Sequence, residues 1–362
     1  MNNSVFFYLA QNTFPHLSIC LAEGLKELGI PFYANIDYWY ISSNEETLFK
    51  NDINITPDDC SMVVVDTGWF AMYACFPENL FHSHRQYITI HLNDEDGPVN
   101  WKSNFEPFDI ILKTHCNRWS LLPNHIKPWV FGLSKRILQA SVPIPEFQQR
   151  NKNLLVNYRH NQNALKVFGL YLQIETGQLQ VEQGLLILDS PLRSIIKEHF
   201  LQKIATIFPI NEQYEEFNSE PDNSDDALQW KQTGHRHYPT YYQRLRSTVA
   251  CAAFGGCLSI NPFTEEPLVE WWDSWRFWEG LAAGCVPFHV DFDKYGASLP
   301  VMPVNWKHYI GIDLDNIENT INRLMDEPLI LEKISVEGRQ WAIEHYGPVP
   351  TALRFLETVT NS

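Results

Sequence analysis

Asp273 to Pro287 reads DSWRFWEGLAAGCVP, and the fold turns on this stretch. It opens with polar and charged residues. Trp275, Trp278, Leu281 and Ala282 then fall at i, i+3, i+6 and i+7, a spacing that predicts a helix with one apolar stripe. Gly284 stops that helix, and VPFHV at 286–290 predicts a short buried strand. With the approach LSINP at 258–262, the predicted order is strand, polar loop, helix, glycine turn, strand. That is the βαβ unit of a parallel sheet. Arg276 and Glu279 sit in the first turns of the helix, a guanidinium suited to phosphate and a carboxylate suited to a ribose diol.

Outward from this unit the chain keeps alternating. At its start, VFFYLA (5–10) predicts a strand, 17–28 an amphipathic helix ended by Gly29, and IPFYA (30–34) a second strand. The loop 11–16 then lies at the carboxyl end of the first strand, where α/β sheets keep ligands. Further strands are predicted at 62–65, at 86–91 running into LNDEDG, at 108–113 and at 129–131. Residues 134–153 carry two prolines and many polar groups and read as an interdomain linker. LLVNY (154–158) opens a second domain, followed by helical spacing at 195–208, an exposed acidic loop at 211–227, a short helix at 238–247 and a strand within 249–260 leading to Asn261. Helices are predicted at 315–325, over 329–346 and over 349–359. The division expected is a domain over 1–140, a second over 150–345, and a terminal helix in 346–362 crossing back to the first.

Composition narrows the function classes. With 362 residues, 44% hydrophobic and 14% aromatic, the chain can bury two cores. A net charge of −16 argues against nucleic acid and against broad adhesion to anionic membranes, while a few local cations still suit small anions. No apolar run approaches the ~18 residues of a membrane span, and the start MNNSVFFYLAQN lacks a basic n-region, so a cytoplasmic protein is expected. Seven cysteines without a CxxC pair read as free thiols rather than a zinc site or disulfide framework.

The stretches YYQRLRSTVACAAFGG (241–256) and DSWRFWEGLAAGCVPFHV (273–290) resemble the GT-B glycosyltransferases, within them the exostosin-like branch. The family signature Ser-x-Arg-x-x-Glu-(Ala/Gly)-Leu-x-x-Gly-Cys-(Ile/Val)-Pro stands here as Ser274, Arg276, Glu279, Gly280, Leu281, Gly284, Cys285, Val286 and Pro287. Glu270 lies one position further upstream of Glu279 than the paired glutamates of many GT-B enzymes. The resemblance implies an α/β fold of two Rossmann-like domains facing a cleft, an N-terminal acceptor domain and a C-terminal donor domain. It implies transfer of a sugar from a nucleotide-diphosphate donor, UDP- or GDP-linked, to the hydroxyl of a carbohydrate or glycolipid. Glu279 then matches the carboxylate on the donor ribose, and Arg276 lies where the phosphates approach.

Glycosyl transfer needs a stabilised leaving group and, in most cases, a base for the acceptor proton. Since the resemblance implies no metal and no cofactor, the leaving diphosphate falls to cations and helix N-termini. Arg276, Arg159 and His160 after LLVNY, and the HRH cluster at 235–237 are the candidates, with Asn261 and Ser274 completing the donor-binding set. The plain alternatives are an Arg276–Asp273 surface ion pair and charge compensation of the acidic loop by HRH. For the base, His16 and its rivals Asp94 and Asp96 sit at carboxyl ends of N-domain strands. A helix-start histidine and a solvated turn are the structural alternatives. Asp291-Phe292-Asp293 resembles a metal motif in the wrong context. Trp271 and Trp272 are the tryptophans expected to be free to stack on sugar. Competing functions are a non-catalytic bilobed carbohydrate-binding protein and a GT-B-like sugar-nucleotide epimerase.

Overall fold

The computed structural model describes residues 3–44, 46–94, 107–119, 122–158, 190–212, 219–260 and 265–361. In the first domain β1 (Val5–Tyr8), α1 (His16–Glu27) and β2 (Phe32–Ala34) form the opening βαβ unit. A small antiparallel hairpin follows, β3 (Tyr38–Tyr40) and β4 (Thr47–Phe49), which the sequence reading missed. The chain continues through β5 (Met62–Asp66), α2 (Thr67–Tyr73), β6 (Ile88–Asn93), β7 (Ile110–Lys113) and β8 (Ile126–Pro128). The parallel order is β2-β1-β5-β6-β7-β8. Such a sheet is covered on both faces, which is why β5 and β7 read as continuous apolar runs and are wholly buried. The strand expected at 129–131 lies instead at Ile126–Pro128.

The expected linker is partly structured. It holds α3 (Lys135–Ala140), whose Arg136 and Ile137 are buried, before β9 (Asn151–Val156) begins the second sheet. After the short β10 (Ser190–Pro191) comes a helical run, α4 (192–204), with a π turn at Ile196–Leu201. Next are β11 (Ile210–Glu212), α5 (Ser224–Gln232), α6 (Pro239–Ser247) and β12 (Thr248–Ala252). The end of the acidic stretch is therefore not loop: Asn223 caps α5 and Asp225 and Asp226 occupy its first turn, where negative charge is favoured.

The βαβ unit around residue 273 exists, but its first strand is not the one expected. β13 (Cys257–Ile260) pairs antiparallel with β14 (Pro267–Glu270) in a small separate sheet with β10. The parallel partner of β15 (Val286–Val290) is β12, so the unit is β12, an inserted hairpin, α7 (Trp275–Ala282), then β15. Backbone sterics allow the insertion at Gly256, where φ is +83° and a Cβ would lie 1.9 Å from the Glu270 carbonyl oxygen. Gly256→Ala is expected to cost roughly 2–4 kcal/mol of stability, read from the urea midpoint. The stripe on α7 is also broader than its spacing suggested, since every residue from Phe277 to Ala282 is buried.

The second sheet closes with β16 (Ile310–Ile312) in the parallel order β11-β9-β12-β15-β16. Helices α8 (Ile317–Asp326), α9 (Ile330–Tyr346) and α10 (Pro348–Thr360) end the chain. α10 packs on α1 of the first domain so closely that a Cβ on Gly24 would lie 2.0 Å from the Pro348 carbonyl oxygen. No described helix is long and apolar enough to cross a membrane.

Candidate active site

Each of the two parallel sheets reverses its strand order at one point, between β1 and β5 in the first and between β9 and β12 in the second. Ligands of open α/β sheets bind in the crevice at the carboxyl ends of strands beside such a switch. In the second sheet, the residues just past β9 are Asn157 and Tyr158. The Arg276 side chain donates from Nε to the Asn157 carbonyl oxygen at 2.5 Å, and its guanidinium carbon lies 5.9 Å from the centre of the Tyr158 ring. Arg193, on α4, reaches the same ring at 5.0 Å and donates from Nε to the Phe254 carbonyl just past β12. Two half-buried guanidiniums thus meet at the switch point, beside the N-terminus of α7. Among the described residues the remaining N–H groups of Arg276 make no hydrogen bond or ion pair. The sequence reading missed Arg193, because nothing in PLRS marks it and only the strand order places it opposite Arg276.

Glu279 lies one turn further along α7 and is buried. Its carboxylate accepts the hydroxyls of Tyr241 (3.0 Å) and Tyr242 (2.9 Å) from α6, so each oxygen is oriented and keeps room for a second donor. Ser274 is the buried N-cap residue of α7, with its side chain outside the capping bonds. Asp273 does not pair with Arg276. It is buried, accepting the Phe131 backbone N–H at 2.8 Å and the Trp278 indole N–H at 2.6 Å, and its own N–H meets His115 Nδ1 at 3.0 Å. Phe131 and His115 belong to the first domain, so this carboxylate joins the two domains at the head of α7.

Trp275 makes the same junction by stacking. Trp39, Phe14, Trp275 and Phe131 form a ladder with successive ring centres 5.4, 5.4 and 4.4 Å apart, the planes within 22° of parallel. His16 lies beneath it, with no exposed surface, its ring edge-on to Trp275 at 4.3 Å and Nε2 3.4 Å from Cys20 Sγ. Burial and the charge of Arg136 lower its pKa to about 3. His16 was expected in the loop between β1 and α1; it is the first residue of α1, at the end of that loop, and is sealed under aromatic rings. Asp94 lies past β6 and is half-buried, its N–H donated to Thr67 Oγ1 at 3.1 Å. Beside it, Asp66 accepts from Ser18 Oγ (2.6 Å) and the Gly68 N–H (2.8 Å), and burial next to Asp94 raises its pKa to about 7. Asp66 and the buried Lys113, whose Nζ meets Asn93 Oδ1 at 3.4 Å, were not picked out by sequence. Asp96, Arg159, His160 and Asn261 lie outside the described residues.

Other expectations resolve plainly. His237 of HRH is buried against Arg136 and Asp226, His235 stacks on Trp230 at 3.7 Å, and only Arg236 reaches the junction, 5.9 Å over Trp275. Trp272 is not free to stack on sugar: it is wholly buried, its indole N–H held by the Cys116 carbonyl at 2.9 Å. Asp291 spends its carboxylate on the Asp293 and Lys294 N–H groups and the Asn305 amide, which is turn capping.

Buried titratable groups set a pH dependence. His16, His91, His115 and His289 are held to about 3 or 4 by desolvation, below the 6.5 of an open chain, so protonation on unfolding removes stability as pH falls through that interval. Glu23, Asp66 and Asp273 are raised to about 7 by burial and act oppositely, losing stability as pH rises from about 4 to 7. His308, lowered to about 4 by burial, and His237, also lowered, add to the histidine side, so the urea midpoint is expected to be lower at pH 5 than at pH 7.

No family model matches this chain, and no curated protein does. Solved structures do. An alpha-glucosyltransferase in complex with UDP aligns over 99% of both chains at 10% identity with a TM-score of 0.51. An alpha-glucosyltransferase with UDP-glucose and DNA containing an abasic site does so over 99% of both at 9% identity and 0.52. The fold is GT-B. HepE from Anabaena, in complex with UDP, aligns at 9% identity over 99% of this chain and 100% of that one with a TM-score of 0.45, too low to add weight. In GT-B terms, the sheet β2-β1-β5-β6-β7-β8 belongs to the first Rossmann-like domain and the sheet β11-β9-β12-β15-β16, with α7, to the second.

Proposed function

We propose that the chain is a glycosyltransferase that moves a sugar from a nucleotide-diphosphate sugar to an acceptor hydroxyl. The observation that carries this reading is the convergence of Arg193 and Arg276 on Tyr158 at the β9/β12 switch point, with Glu279 one turn below. Paired guanidiniums and a helix N-terminus suit a diphosphate, and a bonded carboxylate suits vicinal hydroxyls. UDP is the nucleotide favoured, because the similar solved structures hold it. The same cations take the charge of the leaving diphosphate, so the reaction is read as metal-independent. The donor domain is 150–345 and the acceptor domain 1–140. The signature from Ser274 to Pro287 supports placement in the exostosin-like branch.

The acceptor is read as a carbohydrate hydroxyl. A net charge of −16 argues against a DNA backbone as acceptor, although DNA is present in three of the similar solved structures. On the acceptor side Asp94, flanked by Asp66, is the favoured base. His16 is fully covered and as placed serves packing rather than proton transfer. Calorimetric titration with UDP, GDP and dTDP tests the reading. Micromolar UDP binding is expected, and silence with all three nucleotides would remove it.

A further inference from the structure

The bonds behind Glu279 extend well beyond the two tyrosines, and the direction of every proton in them is fixed. Arg136, buried on α3, donates from one Nη to both Tyr242 Oη (3.1 Å) and His237 Nδ1 (3.1 Å). A guanidinium has only donors, so His237 must present an unprotonated Nδ1 and carry its proton on Nε2. That N–H faces Asp226 Oδ1 at 2.8 Å. Tyr242, accepting from Arg136, gives its own hydroxyl proton to Glu279 Oε1 at 2.9 Å. Burial raises the Tyr242 pKa, which keeps that proton in place.

We propose that Arg136, His237 and Asp226 are positioning residues that orient the donor-binding carboxylate Glu279 through Tyr242. The inference rests on the donor reading of Glu279 given above. A buried carboxylate held on both oxygens by phenols has one orientation, and preorganisation of this kind lowers the ordering cost of a ligand. Tyr241 fixes one oxygen alone. Tyr242 fixes the other only while Arg136 holds its lone pair, and Arg136 is shared with an imidazole that can accept only when neutral. Protonation of His237 sets its Nδ1–H against the Arg136 N–H and breaks the run at that joint. The groups facing the imidazole are Arg136 from α3, Asp226 from α5 and Tyr242 from α6. Burial and the Arg136 charge lower its pKa against the opposing pull of Asp226. The arrangement thus links the nucleotide grip to the protonation of one histidine outside it.

The test is calorimetric titration of the full chain with UDP-glucose, whose diphosphate diester does not titrate between pH 5 and 8. Tyr242→Phe keeps the ring and is expected to raise Kd about 5- to 10-fold with an unchanged thermal midpoint within a few degrees. His237→Ala is expected to do the same at pH 7. His237→Asn, which keeps an acceptor near the Nδ1 position, is expected to restore wild-type binding at pH 7 and to hold it as the pH is lowered, while wild type loses affinity. If Glu279→Ala abolishes binding while Tyr242→Phe and His237→Ala bind as wild type, the positioning role is overturned and the donor site stands. If Glu279→Ala itself binds normally, the donor reading falls and this inference with it.

Discussion

Arg276→Ala is expected to slow transfer from, or hydrolysis of, a UDP-sugar by about 100-fold, with a much smaller change in KM. Removing one preorganised donor from a developing oxyanion costs on that order in kcat, because the bond strengthens as charge grows on the leaving group. The diphosphate carries more charge after the glycosidic bond breaks than before, so the loss concentrates in the chemical step. Steady-state assay of sugar release, with and without acceptor, checks the split. Arg276 is half-buried and, among the described residues, hydrogen-bonds only the Asn157 carbonyl, so the variant is expected to fold. A rate within twofold of wild type would show that Arg276 does not face the phosphates.

Asp273→Ala is expected to lose roughly 3 kcal/mol of stability. It strands two buried donors, the Phe131 backbone N–H and the Trp278 indole, each worth about 1–3 kcal/mol when left unpaired. It also removes the link through which the first domain holds the head of α7. Asp273→Asn keeps one acceptor and is expected to fall between the two. Urea unfolding followed by tryptophan fluorescence reports the change, and an alanine variant as stable as wild type would show that the Phe131 and Trp278 bonds are not what joins the domains.

Much of the fold was legible because parallel sheets write themselves plainly. Both faces of such strands are covered, so MVVV and VPFHV stand out as apolar runs, and glycine at +64° ends α7 where Gly284 predicts it. What misled was a hairpin. Cys257–Ile260 reads as a core strand, and only its antiparallel pairing with Pro267–Glu270 reveals an insertion in the βαβ unit. A polar segment with two prolines likewise read as linker, although Arg136 inside it is one of the most connected buried cations. Short-range pattern says nothing of such distant partners.

The site shows the same division. Glu279 and Arg276 are marked by position on a helix start, which local spacing can express. Arg193, Asp66 and Lys113 are brought to the site by strand order alone. His16 had the right place, yet Trp275 and Phe131, from remote parts of the chain, pack over it beside the neighbouring Phe14. Burial by distant aromatics cannot be read from the residues flanking a histidine.

The most direct measurement is a crystal structure of the protein with UDP bound. The diphosphate should lie within hydrogen-bond reach of Arg276 and Arg193 over Tyr158, with the ribose hydroxyls on Glu279. A nucleotide seated elsewhere, leaving those three side chains without contact, would contradict the account.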